Sequence, residues 1–364
     1  MASSPPPSRP SRRSGSAPTI SDVAKLAGVS PMTVSRVINA ETNVRPATRD
    51  AVNVAIQTLN YAPNRAARSL AGAGQLRVGL LYNNPSGGFL SEMLLGSLDQ
   101  ASRNDVQIVI EKCEIGDDHE LAVARHMIKG GIDGIVLPPP LCESPALLDL
   151  LAQAGVPMVG LATGRAGEGG LAIGIDDRAA AVTMTRHLMD LGHRRIGFIG
   201  GDPNLSASGA RLAGYRAALE GAGIGIEDGL VVDGLYTYRS GLDAAEQLLD
   251  RAEPPTAIFS SNDDMAAATV AVAHRRGLDV PGDLTVCGFD DTVLSTAIWP
   301  ELTTIRQPIA DMARGAIEGL VALLRRQRGG DDAAPEEPTR LLDYTLIRRQ
   351  SDAPPRRRPR VIEG

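Results

Sequence analysis

Side chains that can bind a nucleic acid are concentrated in residues 30–39, SPMTVSRVIN, near the start of this 364-residue chain. Arg36 offers a planar fork of N–H donors, which matches the paired acceptors on the edge of a guanine. Ser30, Thr33 and Ser35 add hydroxyl groups at short spacing. This chemistry is recognition rather than bond breaking, and it needs an element that holds these side chains outward.

Two short helices joined by a tight turn are predicted for residues 19–39. Thr19 and Asp22 form a capping pattern, because each side chain can accept a backbone N–H at the start of a helix. Gly28 suits the positive φ that ends a helix, and Ser30 can cap the next one. Apolar residues share one face of each helix: Val23, Ala24 and Ala27, then Val34, Val37 and Ile38. This pattern predicts a helix-turn-helix, whose second helix enters the DNA major groove.

A third helix and a short docking segment are predicted after this motif. Pro46 lies near the start of the helix, which runs to about Asn60 and closes a three-helix core. Its apolar face is formed by Val52, Ala55, Ile56 and Leu59. Residues 64–71 are rich in Ala and Arg, with Leu70 as their one large apolar side chain. Because this segment is too short and too polar to fold alone, we expect it to become helical only when docked.

Charge is distributed unevenly along the chain. Residues 1–75 contain nine Arg or Lys and three acidic residues, so their net charge is +6, whereas the whole chain carries −6. The remaining residues therefore carry a net charge of −12. A basic N-terminal part in an otherwise acidic chain suggests that this part contacts the phosphates of DNA. No apolar run is long enough to cross a membrane, and the first residues lack the apolar core of a secretory signal. The three cysteines are widely spaced and predict neither a disulfide nor a zinc site, which suits the cytoplasm.

From Leu76 onward, short apolar runs alternate with helical patterns. The first run, LRVGLLY, precedes a helix near residues 90–103, and the alternation continues to a long amphipathic helix over 309–325. Short buried strands that alternate with helices predict a parallel sheet covered on both faces. The units are too many for one sheet. We therefore predict an α/β fold with two doubly wound lobes and a ligand between them. Residues 339–351, TRLLDYTLIRRQS, predict one last strand.

The chain resembles the lactose/galactose repressor (LacI) family of bacterial transcription regulators. The runs that carry this resemblance are DVAKLAGVSPMTVSRVIN, VRPATRDAV, LNYAPNRAARSLAG, HLMDLGHRRIGFIGG and SSNDDMAAATVAVAHRRGLDVPGDLTVCGFDD. The resemblance covers roughly residues 18–348. It implies a three-helix head and a sensor with the fold of periplasmic sugar-binding proteins. It also implies a hinge helix, ordered on operator DNA, whose leucine (here Leu70) wedges into the minor groove.

The resemblance implies a set of DNA contacts. The family's base readers map onto Pro31, Met32 and Arg36 at the start of the second helix. Pro31 and Met32 can only pack, for example on a thymine methyl, whereas many family members have a polar residue there. This departure leaves the operator half-site open. Further contacts, most of them with phosphates, are expected at Thr19, Ser30, Thr33, Ser35, Asn39, Asn43, Thr48, Asn64, Ala67 and Leu70.

The resemblance also implies a small-molecule site in the sensor. The family's inducer contacts map onto Arg211, Tyr236, Asn262, Asp263 and Asp290, with Gln307 close by. Asn83, Asn84 and Phe89 follow the first strand, where a ligand in the crevice would meet them. Amide, carboxylate and guanidinium groups suit a polyol, since each can bind two neighbouring hydroxyls. Ala162 aligns where the lactose repressor has an aspartate, which argues against the lactose-type ligand.

Five segments are predicted: a disordered tail (1–17), the helix-turn-helix head (18–62), a hinge and linker (63–75), the two-lobed effector-binding and dimerisation domain (76–348) and a disordered tail (349–364). We expect a cytoplasmic homodimer on a pseudo-palindromic operator, with no membrane contact. A dimer is favoured over a tetramer because the chain lacks leucine heptads. The predicted function is repression of carbohydrate-utilisation genes under the control of a sugar.

Two alternatives stay open. The first keeps this architecture but binds a purine-like or phosphorylated corepressor that strengthens DNA binding. An aromatic content of 3% favours the polyol, because purines need stacking partners. The second is a sugar-binding transport protein, which would need a signal peptide and would have no use for residues 18–74. An enzyme is not expected, since the sequence has no G-x-S-x-G, H-E-x-x-H or P-loop motif. No catalytic residue, cofactor or metal is predicted.

Overall fold

The computed structural model describes residues 19–38, 44–59, 75–114, 119–163, 170–329 and 338–356. Contacts within the chain divide it into two units, residues 1–75 and residues 76–364. The described part of the predicted hinge and linker is Gln75 alone. Asn39, Asn43, Asn64, Ala67 and Leu70, all predicted at DNA, lie outside the described residues.

Three helices form the described part of the first unit: α1 (Ile20–Ala27), α2 (Pro31–Ile38) and α3 (Pro46–Thr58). Thr19 caps α1, since its hydroxyl accepts the Asp22 N–H at 3.3 Å and its own N–H donates to the Asp22 carboxylate at 2.8 Å. Gly28 ends α1 with a φ of 68°. The apolar faces meet in one core formed by Val23, Ala24, Val34, Val37, Val52 and Ala55. The predicted helix-turn-helix head is therefore confirmed.

Two six-stranded sheets form the framework of the second unit. The first contains, in spatial order, β2 (Gln107–Lys112), β1 (Arg77–Tyr82), β3 (Gly134–Leu137), β4 (Met158–Leu161), β5 (Leu171–Gly174) and β11 (Thr339–Leu341). The second contains β7 (Val231–Asp233), β6 (Ile196–Gly200), β8 (Ala257–Ser260), β9 (Thr285–Asp290), β10 (Thr303–Arg306) and β12 (Thr345–Ile347). Neighbouring strands run parallel, except that β12 is antiparallel to β10.

Helices cover both faces of each sheet. The first sheet packs against α4 (Gly87–Arg103) and α12 (Ile309–Arg328) on one face, and α5 (His119–Lys129) and α6 (Pro145–Gln153) on the other. The second packs against α7 (Asp177–Asp190) and α8 (Ser206–Gly221), and on its other face α9 (Tyr238–Leu249) and α10 (Asp263–Arg275). A short α11 (Leu294–Ala297) follows β9. The predicted pair of doubly wound lobes is confirmed. Within the described ranges, no helix is both long and apolar enough to cross a membrane.

Three described segments connect the two lobes. They lie between β5 and α7, between β10 and α12, and between β11 and β12. As a result, α12 packs on the first sheet although the strand before it belongs to the second. The carboxyl ends of the parallel strands in both lobes face one crevice, and this is where loops of such folds hold ligands.

The C-terminal residues differ from the prediction in two ways. The run predicted as one strand forms two, β11 and β12, which belong to different sheets because residues 342–344 pass between the lobes. The predicted disorder from residue 349 is wrong for 349–356, since this segment binds the second lobe. Its Ser351 hydroxyl donates to the Val286 carbonyl, and its Asp352 carboxylate lies 2.8 Å from His187 Nε2. Residues 357–364 lie outside the described chain.

Candidate functional site

The second helix of the head turns the predicted base readers away from its core. Val34 and Val37 are buried against the other two helices, whereas Pro31, Met32 and Arg36 are exposed, Met32 by 66%. A helix with one buried face and one exposed face can lie in a groove of DNA without disturbing its own packing. The exposed face of α2 therefore suits contact with base edges, and the choice of base readers stays a prediction.

Two of the predicted DNA contacts also hold the helices of the head in place. Ser30 accepts the N–H of Thr33 at 3.1 Å, and the two hydroxyls lie 2.9 Å apart, so this pair caps α2. Thr19 caps α1 in the same manner. Thr19 and Ser30 are exposed, while Thr33, Ser35 and Thr48 are half-buried. A hydroxyl that caps a helix and is still exposed can also meet a phosphate, so the structural and the predicted DNA role are compatible.

A cavity of about 300 Å³ lies in the crevice of the second unit. Eight of the nine predicted effector contacts line it: Asn83, Asn84, Phe89, Arg211, Tyr236, Asn262, Asp290 and Gln307. These residues follow or end β1, β7, β8, β9 and β10, or lie on α4 and α8. The volume falls at the small end of the range for ligand pockets. The cavity could therefore hold a small molecule in contact with both lobes.

Asp263, the ninth predicted contact, does not line the cavity. Its side chain is fully buried. Its carboxylate accepts the Thr292 N–H and the Thr304 hydroxyl, both at 2.7 Å. These bonds tie the start of α10 to β10 and to the loop after β9. The prediction that Asp263 contacts an effector directly is therefore wrong. Asp263 instead supports the wall of the cavity from behind.

Arg211 is the single cation among the described residues that line the cavity. Its Nε donates to Asp177 at 2.8 Å and its Nη1 donates to the Ser261 carbonyl at 2.5 Å. The guanidinium carbon lies 3.7 Å from the centre of the Phe289 ring, a cation–π contact. Burial alone lowers the pKa of Arg211, but attraction to Asp177 and to the other acidic groups nearby together outweighs it, so the pKa is raised. The positive charge is therefore held permanently and is already paired.

Asp290 supplies a carboxyl group on the same wall as Arg211. It accepts the side-chain N–H of Gln307 at 2.6 Å. Burial raises the pKa of Asp290, and both burial and the nearby Asp290 raise the pKa of Asp263. A carboxyl group with a raised pKa can donate a hydrogen bond when protonated and accept one when ionised. Such a group can bind a ligand hydroxyl in either state.

Asn262 both lines the cavity and caps a helix. Its Oδ1 accepts the Met265 N–H at 2.9 Å, so it caps α10, while its Nδ2 donates to the Tyr236 carbonyl at 2.9 Å. Tyr236 has a positive φ of 59°. Its hydroxyl lies 2.7 Å from Ser208 Oγ. Gly201 is required beside it, because a Cβ at that position would overlap the Tyr236 ring.

Nine lining residues were not predicted as contacts: Pro85, Ser86, Pro139, Pro140, Ala162, Asp202, Leu205, Ala207 and Leu235. A signal for some of them was present in the sequence. Pro139 and Asp202 lie just after β3 and β6, so the rule that selected Asn83 after β1 also applies to them. Ala207 precedes Arg211 by one helical turn, a spacing that places both on one face of α8.

Polar contacts join the two lobes on either side of the cavity. Ser86 of the first lobe donates to Asp264 of the second at 2.6 Å. Glu143 of the first lobe accepts the Ser206 N–H at 2.9 Å and also the Ser206 hydroxyl. Neither contact can persist if the lobes separate, so both favour a closed crevice.

Other candidate groups have structural roles. In the described ranges, no cluster of three or more His, Cys, Asp or Glu side chains could hold a metal ion. The three cysteines are free and buried, as small apolar side chains are. His193 lies 2.8 Å from the Thr256 hydroxyl and 2.9 Å from the Ala353 carbonyl, which anchors the C-terminal segment.

Comparison with known proteins covers both units. Residues 19–64 match the family model "Bacterial regulatory proteins, lacI family", and residues 185–351 match "Periplasmic binding protein-like domain". Catabolite control protein A of Priestia megaterium is 36% identical over 310 residues, which are 85% of this chain and 93% of the relative. The HTH-type transcriptional regulator GalR of Escherichia coli (strain K12) is 36% identical over 338 residues, 93% and 96% of the two chains.

Solved structures show the same similarity. A transcriptional regulator CelR–cellobiose complex aligns with a TM-score of 0.69 and 32% identity over 92% of this chain and 99% of its own. The lac repressor dimer bound to operator and the anti-inducer ONPF aligns with a TM-score of 0.73 and 27% identity over 93% and 100%. The named relatives are transcriptional regulators and not enzymes, in agreement with the sequence prediction. Since such relatives match the head and the sensor together, this chain belongs to the lacI family of bacterial regulatory proteins.

Proposed function

We propose that this protein represses carbohydrate-utilisation genes in the cytoplasm. It binds a pseudo-palindromic operator as a homodimer, and a neutral sugar between the lobes controls it. The DNA part of this proposal is supported by the exposed face of α2 with Arg36. The sugar part is supported by the polar wall of the cavity, where Arg211, Asp290 and Gln307 stand together. One similar structure is a complex with cellobiose, and another is a dimer bound to its operator.

The charges of the cavity are the observation that selects a neutral effector. Arg211 is already paired with Asp177, and the lining also contains Asp202 and Asp290. A phosphorylated ligand would add negative charge without gaining an unpaired cation from the described lining, which makes its burial unfavourable. Among the described lining residues, only Phe89 and Tyr236 supply aromatic rings. A polyol therefore fits better than the phosphorylated or purine-like corepressor.

Control by the effector is a linkage between two equilibria. A ligand that touches both lobes favours one arrangement of the crevice over the other. The effector can alter operator affinity only as far as its own affinities for the two arrangements differ. Couplings of this kind are typically about 1–3 kcal/mol, and the operator must change effector affinity by the same factor. We propose that the hinge segment around Leu70 carries this coupling to the head.

Effector class can be tested by a thermal-shift screen of the purified full chain. Neutral mono- and disaccharides, sugar phosphates and purines are each added well above micromolar concentration. A specific ligand raises the melting temperature because it binds only the folded state. A shift with a neutral sugar alone is expected. A shift only with a purine or sugar phosphate would overturn the proposed effector class.

Operator recognition can be tested at Arg36. We expect Arg36→Ala to abolish the preference for operator over unrelated DNA, while salt-sensitive nonspecific binding remains. Arg239→Ala is a matched control, because Arg239 lies on α9 of the sensor with a side chain 81% exposed. Fluorescence anisotropy on operator and scrambled duplexes measures both affinities. Unchanged specific affinity in Arg36→Ala would disprove the assignment of α2 as the recognition helix.

A further inference from the structure

The lining of the cavity includes a group of polar side chains and a group of apolar ones, which we call its polar end and its apolar end. Its polar end contains Asn262, Asp290 and Gln307, which end or follow β8, β9 and β10, and Arg211 lies beside them. Its apolar end, as we define it, consists of Pro139, Pro140, Ala162, Leu205 and Ala207. A ligand that spans the cavity must therefore present different chemistry to its two ends.

Hydrogen bonds hold together the three chain segments that carry these five apolar residues. Glu143 belongs to the turn just after Pro140. It accepts hydrogen bonds from Ser206, which lies between Leu205 and Ala207. The hydroxyl of Thr163, next to Ala162, donates to the same carboxylate at 3.4 Å. One carboxylate thus gathers three segments of the chain, from both lobes, around the apolar end.

Two acidic side chains near this end already accept hydrogen bonds from the protein. The Glu143 carboxylate is shared by Ser206 and Thr163 and does not line the cavity. Asp202 does line it, but its Oδ1 accepts both the N–H and the side-chain N–H of Asn204, at 2.9 and 3.0 Å. A ligand hydroxyl buried against proline, alanine and leucine would lose its bonds to water without replacement. Such a loss is unfavourable, whereas an apolar group placed there gains from leaving water.

We propose that the effector is a hydroxyl-rich ring that carries an apolar substituent, with the hydroxyls at the polar end and the substituent at the apolar end. The substituent is either the methyl group of a deoxy sugar or an apolar aglycone, since both have the same surface chemistry. This inference rests on the proposed sugar effector and narrows it. Ala162 is central to it, because an acidic residue there would turn the same end polar.

Matched pairs of neutral probes test the inference on the full chain by titration calorimetry. D-galactose is compared with D-fucose, its 6-deoxy form, and methyl β-D-glucoside with phenyl β-D-glucoside. An apolar pocket disfavours an added hydroxyl by roughly 100-fold and favours each added methylene by about 10–200-fold, so we expect the apolar member of at least one pair to bind at least about tenfold tighter. Tighter binding of D-fucose would indicate a deoxy sugar, and tighter binding of phenyl β-D-glucoside would indicate an apolar aglycone.

Two outcomes would overturn the inference in distinguishable ways. Equal or weaker binding of the apolar member in every pair that binds would refute the apolar substituent and leave the sugar effector standing. Absence of binding by every probe, together with no thermal shift from any neutral sugar in the screen described above, would overturn the sugar effector and this inference with it.

Ala162→Asp is the variant that tests the apolar end directly. Ala162 has a φ of 51°, a conformation that Asp adopts more readily than most residues, so the substitution is compatible with the backbone. We expect it to reduce the preference for the apolar member by at least about tenfold. Ala207→Ser is a milder second variant at the same end, and Ala252→Asp, in an exposed loop of the second lobe, is the control. An unchanged preference in both apolar-end variants, with wild-type melting temperatures, would refute the inference.

Discussion

Arg211→Ala is expected to damage the stability of the sensor as well as its response to effector. The Arg211 side chain is only 6% exposed and the Asp177 side chain 11%. Removal of the guanidinium leaves the Asp177 carboxylate buried without its partner and the Ser261 carbonyl without the donor 2.5 Å away. It also removes the contact with the face of the Phe289 ring. The variant therefore loses three favourable interactions and keeps an uncompensated charge.

The size of the loss follows from the buried pair. Removing one partner of a buried ion pair costs about 3–5 kcal/mol, which for a domain of this size lowers the melting temperature on the order of 5–15 °C. The loss must depend on pH. Burial already raises the pKa of Asp177, and without Arg211 the pKa rises further. A carboxyl group whose pKa is raised by folding stabilises the protein at low pH and loses that contribution as pH increases. The deficit of the variant is therefore larger at pH 8 than at pH 5.

Thermal unfolding of the full-length chain at several pH values measures this deficit. Arg239→Ala, which removes an exposed guanidinium of the same lobe, is the control and should melt within about 1 °C of the wild type. The double variant Arg211→Met with Asp177→Asn removes both charges, and we expect it to recover most of the lost stability. Wild-type melting of Arg211→Ala, or a double variant as unstable as the single one, would refute the reasoning. The recovered double variant should still fail to respond to effector.

Three further perturbations follow from the same cavity. Ser86→Ala removes the hydrogen bond to Asp264 between the lobes. Since hydrogen bonds to charged groups contribute roughly 1.5–3 kcal/mol, effector affinity measured by calorimetry should fall by about tenfold. An unaltered Kd would show that this hydrogen bond does not favour closure of the crevice. Asp290→Asn should stabilise the unliganded sensor at pH 8 relative to the wild type. Burial raises the pKa of Asp290, so the contribution of this carboxyl group to the free energy of unfolding is lost as pH rises above the ordinary aspartate pKa. An unchanged pH profile of unfolding would contradict this. Gly201→Ala should displace the Tyr236 ring and lower stability by about 1–3 kcal/mol, and a wild-type denaturation midpoint would exclude the overlap.

The elements of the head could be predicted because their causes are local. Thr19 and Asp22 are three residues apart, and the capping bonds between them form wherever that helix forms. Gly28 ends α1 through its own backbone conformation. The C-terminal residues 349–356 were predicted wrongly for the opposite reason. Their polar composition is typical of a disordered tail. The partners that order them are distant in sequence, namely Val286, Thr303 and His187.

The sequence by itself determined the fold class and the head, since helix caps and apolar periodicity are short-range patterns. The neighbourhood of the cavity followed partly from the ends of predicted strands and partly from the family resemblance. Only the tertiary structure decided which side chains face the cavity. Asn262 and Asp263 are adjacent, yet one lines the cavity and the other lies behind its wall. Arg211 meets Asp177 across 34 residues. The apolar end exists because Glu143 draws segments of both lobes together. Burial, charge pairing and the orientation of side chains depend on such distant contacts, so no local pattern can specify them.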